Sequence, residues 1–121
     1  MKTSLLKGLA QLASRDYHYD YIVNGTKDEY VVPEELLDTV RGRIAGALRE
    51  PNGITQQQYD DLTALDALAK EAYDAVFDYG RDSLSTVVDS YEWSAMRELA
   101  NRLLRDSGIQ ERDLKGLLMD A

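Results

Sequence analysis

The sequence predicts a mainly α (α+β) fold: a compact bundle of about four to five helices with a small N-terminal β-hairpin near residues 17–32. Three observations carry that expectation. Apolar residues recur at helical spacing through most of the chain, the period shifts from 3.6 to 2 over residues 16–32, and an Asn24-Gly25 pair sits inside that stretch. At 121 residues and 44% hydrophobic content, one helical domain spanning 1–121 and one core are expected.

The opening "MKTSLLKGLAQLAS" has the outline of a secretory signal, a positive residue before a leucine-rich run. Lys7 and Gln11 interrupt the run, however, and Leu5, Leu6, Leu9, Leu12 and Ala13 form the stripe of an amphipathic helix, so a helix and not a leader is expected. No other run approaches the roughly 20 apolar residues that cross a bilayer. Next comes "DYHYDYIVNGTKDEYVV". With Asn24-Gly25 as a two-residue turn, Tyr19 falls opposite Tyr30, Tyr17 opposite Val32 and Val23 opposite Thr26, a cross-strand pairing that favours a hairpin leaning on the helices.

Pro33 followed by Glu34 and Glu35 opens the next helix: proline suits the first helical position, and carboxylates suit the positive end of the dipole. Leu36, Leu37, Val40, Ile44, Ala47 and Leu48 form its stripe, and Gly42 and Gly46, four apart, offer a close helix approach or two mildly weakening glycines. Pro51-Asn52-Gly53 ends it. Thr55 with Gln58 is a capping box for a long helix reaching about Tyr79, with Gly80 as its stop and Leu62, Leu65, Ala69, Ala72, Tyr73 and Val76 inward. From Asp82 to Ser90 the pattern weakens and fits a short helix or a loop. Ser90 then caps a helix carrying Trp93, Met96, Ala100, Leu103 and Leu104, and a last short helix carries Leu114, Leu117 and Leu118. Segments 48–62 and 104–117 echo each other: Leu-Arg-acid, a turn, Gly-Ile, then a new helix, the mark either of common turn chemistry or of a duplicated helix pair.

Little in the chain supports catalysis. There is no cysteine and one histidine, His18, with no nucleophile-elbow, phosphate-loop or dinucleotide pattern. Asp16, His18 and Asp20 would share one face of a strand and could ligate a metal, but no fourth ligand is identifiable; the expectation is no metal, no cofactor and no enzyme. A chain without cysteine needs no oxidising compartment, so a cytoplasmic location is expected.

Charge is more informative. The net charge of -8 argues against direct nucleic-acid binding, which depends on Lys and Arg, and calls for a basic partner. It is unevenly held: residues 1–15 carry +3, 16–40 carry -6, 41–49 carry +3, 50–92 carry -8, and the rest is neutral. Most of the eight tyrosines fall in the acidic segments. At about 100° per residue, Asp60, Glu71, Asp74 and Asp78 share one side of the long helix, away from its apolar stripe. These four, with Asp16, Tyr17, Asp20, Tyr21, Asp28 and Glu29, are the expected partner-binding residues: carboxylates standing in for phosphates and tyrosines supplying contact area. The same composition would also serve solubility alone.

Being short, cysteine-free, strongly acidic and without catalytic motifs, the chain resembles in type the small acidic inhibitors of phages and mobile elements, anti-restriction and anti-CRISPR proteins among them. That resemblance implies a DNA mimic occupying the basic surface of a nucleic-acid-handling protein. The alternative is a helical assembly protein that forms homo-oligomers, such as a homodimer, through Trp93, Met96, Leu114, Leu117 and Leu118.

Overall fold

The computed structural model describes residues 1–119, apart from the side chains of Arg81 and Met119. The helices are α1 (Thr3–Ala13), α2 (Arg15–His18) running into a π turn (Tyr19–Val23), α3 (Pro33–Arg49), α4 (Gln56–Tyr79), α5 (Leu84–Val88) after a 3-10 turn (Arg81–Ser83), α6 (Tyr91–Asp106) and α7 (Glu111–Met119). Four of them form a ring in which α1 packs on α3, α3 on α4, α4 on α6 and α6 on α1. Leu9, Leu12, Leu37, Val40, Ile44, Leu62, Leu65, Val76, Trp93, Met96 and Leu103 fill its centre. The α7 helix lies against α1, and α5 bridges α4 and the π turn.

Several start and stop signals act as their chemistry requires. Pro33 stands in the first turn of α3 with Glu34 and Glu35. Thr55 and Gln58 make both bonds of the capping box, the Gln58 amide N–H to Thr55 Oγ1 and the Thr55 amide N–H to Gln58 Oε1. Ser90 accepts from the Trp93 amide while donating to the Val87 carbonyl. The segment 82–90 resolves into a short helix. The two echoed turns also form: Gly53 and Gly108 take positive φ, 75° and 80°, and Ile54 and Ile109 behind them are partly buried against the core.

Among the described residues there is no strand, and the β-hairpin expected near 17–32 is absent. Residues 15–23 are helical instead. Ser14 Oγ accepts from the Tyr17 amide as the N-cap, and the Asn24 amide closes the π turn on the Tyr19 carbonyl. The alternation misled because a step of two contains the step of four. His18 and Ile22 are buried one helical turn apart, Tyr17 and Tyr21 bring their rings to 5.0 Å, and the Arg15 guanidinium lies 4.5 Å over the Tyr19 ring. Asn24-Gly25 therefore ends a helical segment and does not turn two strands. The loop that follows folds back on it, with the Val31 amide donating to the Tyr21 carbonyl and the Thr26 amide to the Glu29 carbonyl.

Glycine is required in that loop. A Cβ on Gly25 would stand 2.5 Å from the Tyr21 carbonyl oxygen and 2.8 Å from Tyr30 Cβ. Gly25→Ala should lower unfolding free energy by about 1 to 3 kcal/mol, as overpacking against backbone does. Denaturant titration checks it, and an unchanged midpoint would mean that the loop is not held against Tyr21. The close helix approach, meanwhile, is made by Gly8 and not by Gly42 or Gly46. A Cβ at Gly8 would meet Val40 at 3.2 Å, whereas at Gly42 it would meet nothing within 4 Å.

Candidate interaction surface

The six carboxylates of α4 separate by the side of the helix they occupy. Asp61, buried, receives Arg102 Nη2 at 2.8 Å from α6 and Gln57 Nε2 at 3.0 Å. Asp66 receives Arg41 Nε at 3.0 Å from α3, and this pairing holds the Arg41 pKa above its ordinary value. These two acids tie α4 to its neighbours, so their charge is spent on contacts with α3 and α6. Asp60, Glu71, Asp74 and Asp78 are all exposed, as the helical wheel predicts. Asp60 accepts from Gln56 and Asp74 from Lys70, both within the helix and open to water. Screened pairs of this kind are worth only tenths of a kcal/mol and leave the face negative. Glu71, Asp74 and Asp78 follow one another by three and four residues, roughly 4.5 and 6 Å along the axis. That is about two-thirds of the charge density of one DNA strand.

The second expected group does not form a strand edge. Asp16 and Asp20 lie one turn apart on the exposed side of α2 and the π turn, Tyr21 is 37% exposed, and Tyr17 is half-buried. Asp28 and Glu29 are exposed in the folded-back loop, the Glu29 amide bonded to Thr26 Oγ1. Helical geometry thus groups Asp16, Tyr17, Asp20 and Tyr21, and the Val31–Tyr21 bond sets the loop beside them. Because α5 packs against both α4 and the π turn, it stands between this group and α4.

His18 is not the centre of an Asp16–His18–Asp20 metal set. Two residues along a helix is about 200° of rotation, so His18 points into the protein while the two aspartates point out. No group of three or more potential ligands gathers among the described residues. His18 is fully buried, its ring edge-on to Trp93 at 5.1 Å. Its Nε2–H donates to the Gln11 carbonyl at 2.7 Å, and its Nδ1 accepts from Arg97 Nη1 at 3.4 Å. That pattern is the neutral imidazole with both nitrogens occupied. Burial, together with the Arg97 charge, pushes its pKa down to about 4, against the pull of the Gln11 bond.

A polar node surrounds it that sequence reasoning did not foresee. Arg97 donates to the Val88 carbonyl at 2.7 Å. Asp89 receives Arg15 Nε and Nη2 at 3.2 and 2.9 Å and the Tyr19 hydroxyl. The Tyr19 bond holds the Asp89 carboxyl below its usual range and raises the Tyr19 phenol. The partners that join Arg15, His18 and Tyr19 to Asp89 and Arg97 are 70 or more residues apart and carry no local signal. The exposed aromatics were also missed: Phe77 is 59%, Tyr79 44%, Tyr30 63% and Tyr91 80% exposed. For Phe77 a signal existed, since it falls outside the Leu62-to-Val76 stripe when α4 is drawn at 100° per residue.

The assembly seam expected around the C-terminus is partly used up by the fold. Trp93 and Met96 are 0% exposed within the chain's own core, and Leu114, Leu117 and Leu118 are partly buried against it. Among the described residues, no helix is long and apolar enough to cross a membrane. Comparison with protein-family models, curated proteins and solved structures gives no match.

Proposed function

We propose that the protein is a non-enzymatic binding module that sets the outer face of α4 against a basic, nucleic-acid-binding surface of a partner protein in the cytoplasm. The reading is of an inhibitor of the DNA-mimic type found among anti-restriction and anti-CRISPR proteins of phages and mobile elements. The observation that carries it is the sorting of the α4 carboxylates. Asp61 and Asp66 are neutralised by arginines of neighbouring helices, while Asp60, Glu71, Asp74 and Asp78 are left outward on one side. Phe77 and Tyr79, exposed at the same end as Asp74 and Asp78, would add contact area once charge has steered the encounter.

The test separates a face from a net charge. Asp74→Lys with Asp78→Lys is compared with Glu111→Lys with Asp113→Lys, which makes the same charge change on α7. Partners are captured from lysate of the source cell at low and high salt and identified by mass spectrometry. The expected result is a nucleic-acid-handling protein retained at low salt, released at high salt, lost with the α4 pair and kept with the α7 pair. Equal loss with both pairs would reduce the interaction to bulk charge and sink the reading.

A further inference from the structure

The fold gathers the chain's two basic segments, which are separated by the acidic stretch 16–40, at one place. Arg43 Nη1 donates to the Ser4 carbonyl at 3.0 Å, and Val40 lies against Gly8, so α1 and α3 run antiparallel. The start of α1 thus meets the end of α3. Between them and the turn into α4 is a cavity of about 380 Å³, within the range of small-molecule sites. Lys2, Arg43 and Arg49 line it against a single carboxylate, Glu50, and Leu5, Ala47 and Ile54 give it apolar wall. Neither the Lys2 nor the Arg49 side chain has an ion-pair partner among the described residues.

From this we infer that the cavity is a binding site for a small anionic amphiphile, an alkyl carboxylate or alkyl phosphate. In a chain of net charge -8, a surplus of cations around an apolar cleft selects ligands of the opposite sign. The guanidinium of Arg49 and the ammonium of Lys2 are placed for the headgroup, with charge-assisted donors that a carboxylate or phosphate satisfies. The chain of the ligand lies along Ala47 and Ile54. This site uses none of the carboxylates of the α4 face, so it stands or falls independently of the binding reading above.

Gly46 supplies a plug for the test. It lines the cavity, and a Cβ built on it comes no closer than 4.0 Å to any neighbour, that neighbour being Arg49 Nη2. Gly46→Leu therefore fills the cleft while improving the helix, since leucine is the better helix former. The experiment follows backbone amide NMR shifts during titration with octanoate, octyl phosphate, 1-octanol and acetate. Octanoate, octyl phosphate or both should shift Gly46, Ala47 and Ile54 at millimolar concentration or below, with octanol and acetate much weaker. The stronger of the two anions identifies the headgroup. Lys2→Gln with Arg49→Gln should weaken binding by about tenfold, the loss of a charge-assisted contact. Gly46→Leu should abolish it with the rest of the spectrum retained. Octanol binding as tightly as the anions, shifts elsewhere than the cavity, or no saturable binding of either anion would each overturn the site.

Discussion

Trp93→Ala is expected to lower the free energy of unfolding by about 3 to 5 kcal/mol, the largest single-residue effect in the molecule. Trp93 is wholly buried at the start of α6, where it meets α4 and the ring of His18. Its Nε1–H donates to the Ala72 carbonyl of α4 at 3.0 Å. Truncation removes the largest side chain of the core and leaves a cavity at the junction of three elements, which the helices can close only by shifting against one another. A loss of that size is a large fraction of the 5 to 15 kcal/mol typical of a whole domain. Since this is the only tryptophan, unfolding should be followed by far-ultraviolet circular dichroism in denaturant. Trp93→Phe should cost less, because it keeps an aromatic ring in the site although it too loses the hydrogen bond. A change below about 1 kcal/mol on truncation would mean that α6 does not dock on α4 through this residue.

The second large effect is acid lability through His18. Its ordinary pKa of 6.5 holds for the unfolded chain, and burial with the Arg97 charge brings it to about 4 in the folded protein. As pH falls below 6.5 the unfolded chain takes up a proton that the folded protein refuses. The neutral ring's contribution is therefore complete above pH 6.5, declines on the way down, and is gone below about pH 4. Over that window the loss is on the order of 3 kcal/mol. Carboxylates titrate there too, so the comparison that isolates the ring is wild type against His18→Gln, in urea titrations across the window. The variant should start less stable and show a shallower decline as pH drops. Parallel declines in the two proteins would show that His18 is free to protonate in the folded state. His18 holds together α1 through Gln11, α5 through Arg97 and Val88, and α6 through Trp93, so acid should loosen that end of the bundle before the opposite one.

How far the candidate surface could be read in advance depended on the range of the interactions involved. The outward placement of Asp60, Glu71, Asp74 and Asp78 follows from the apolar stripe of α4 alone, because a helix that buries Leu62, Leu65, Ala69 and Val76 has no choice about its other side. Which acids of α4 would be neutralised could not be read, because Arg102 and Arg41 come from other helices. The tyrosine segment failed for a different reason. Its even spacing satisfies strand and helix together, and the decision fell to His18 and Ile22, which find a buried pocket one turn apart, and to Ser14, which caps. A two-stranded hairpin offers no such burial and is marginal alone.

The sequence by itself determined the four long helices, their caps and stops at Pro33, Thr55, Gly80 and Ser90, the two Gly-Ile turns and the inward stripes. All of these rest on contacts within a few residues, whose geometry repeats in every helix. Tertiary structure alone decided that residues 15–23 are helical, that His18 is a buried neutral ring beside Arg97, and that the two basic segments meet around one cavity. Each of these depends on burial and charge pairing between groups far apart in the chain, terms that exist only once the helices have packed.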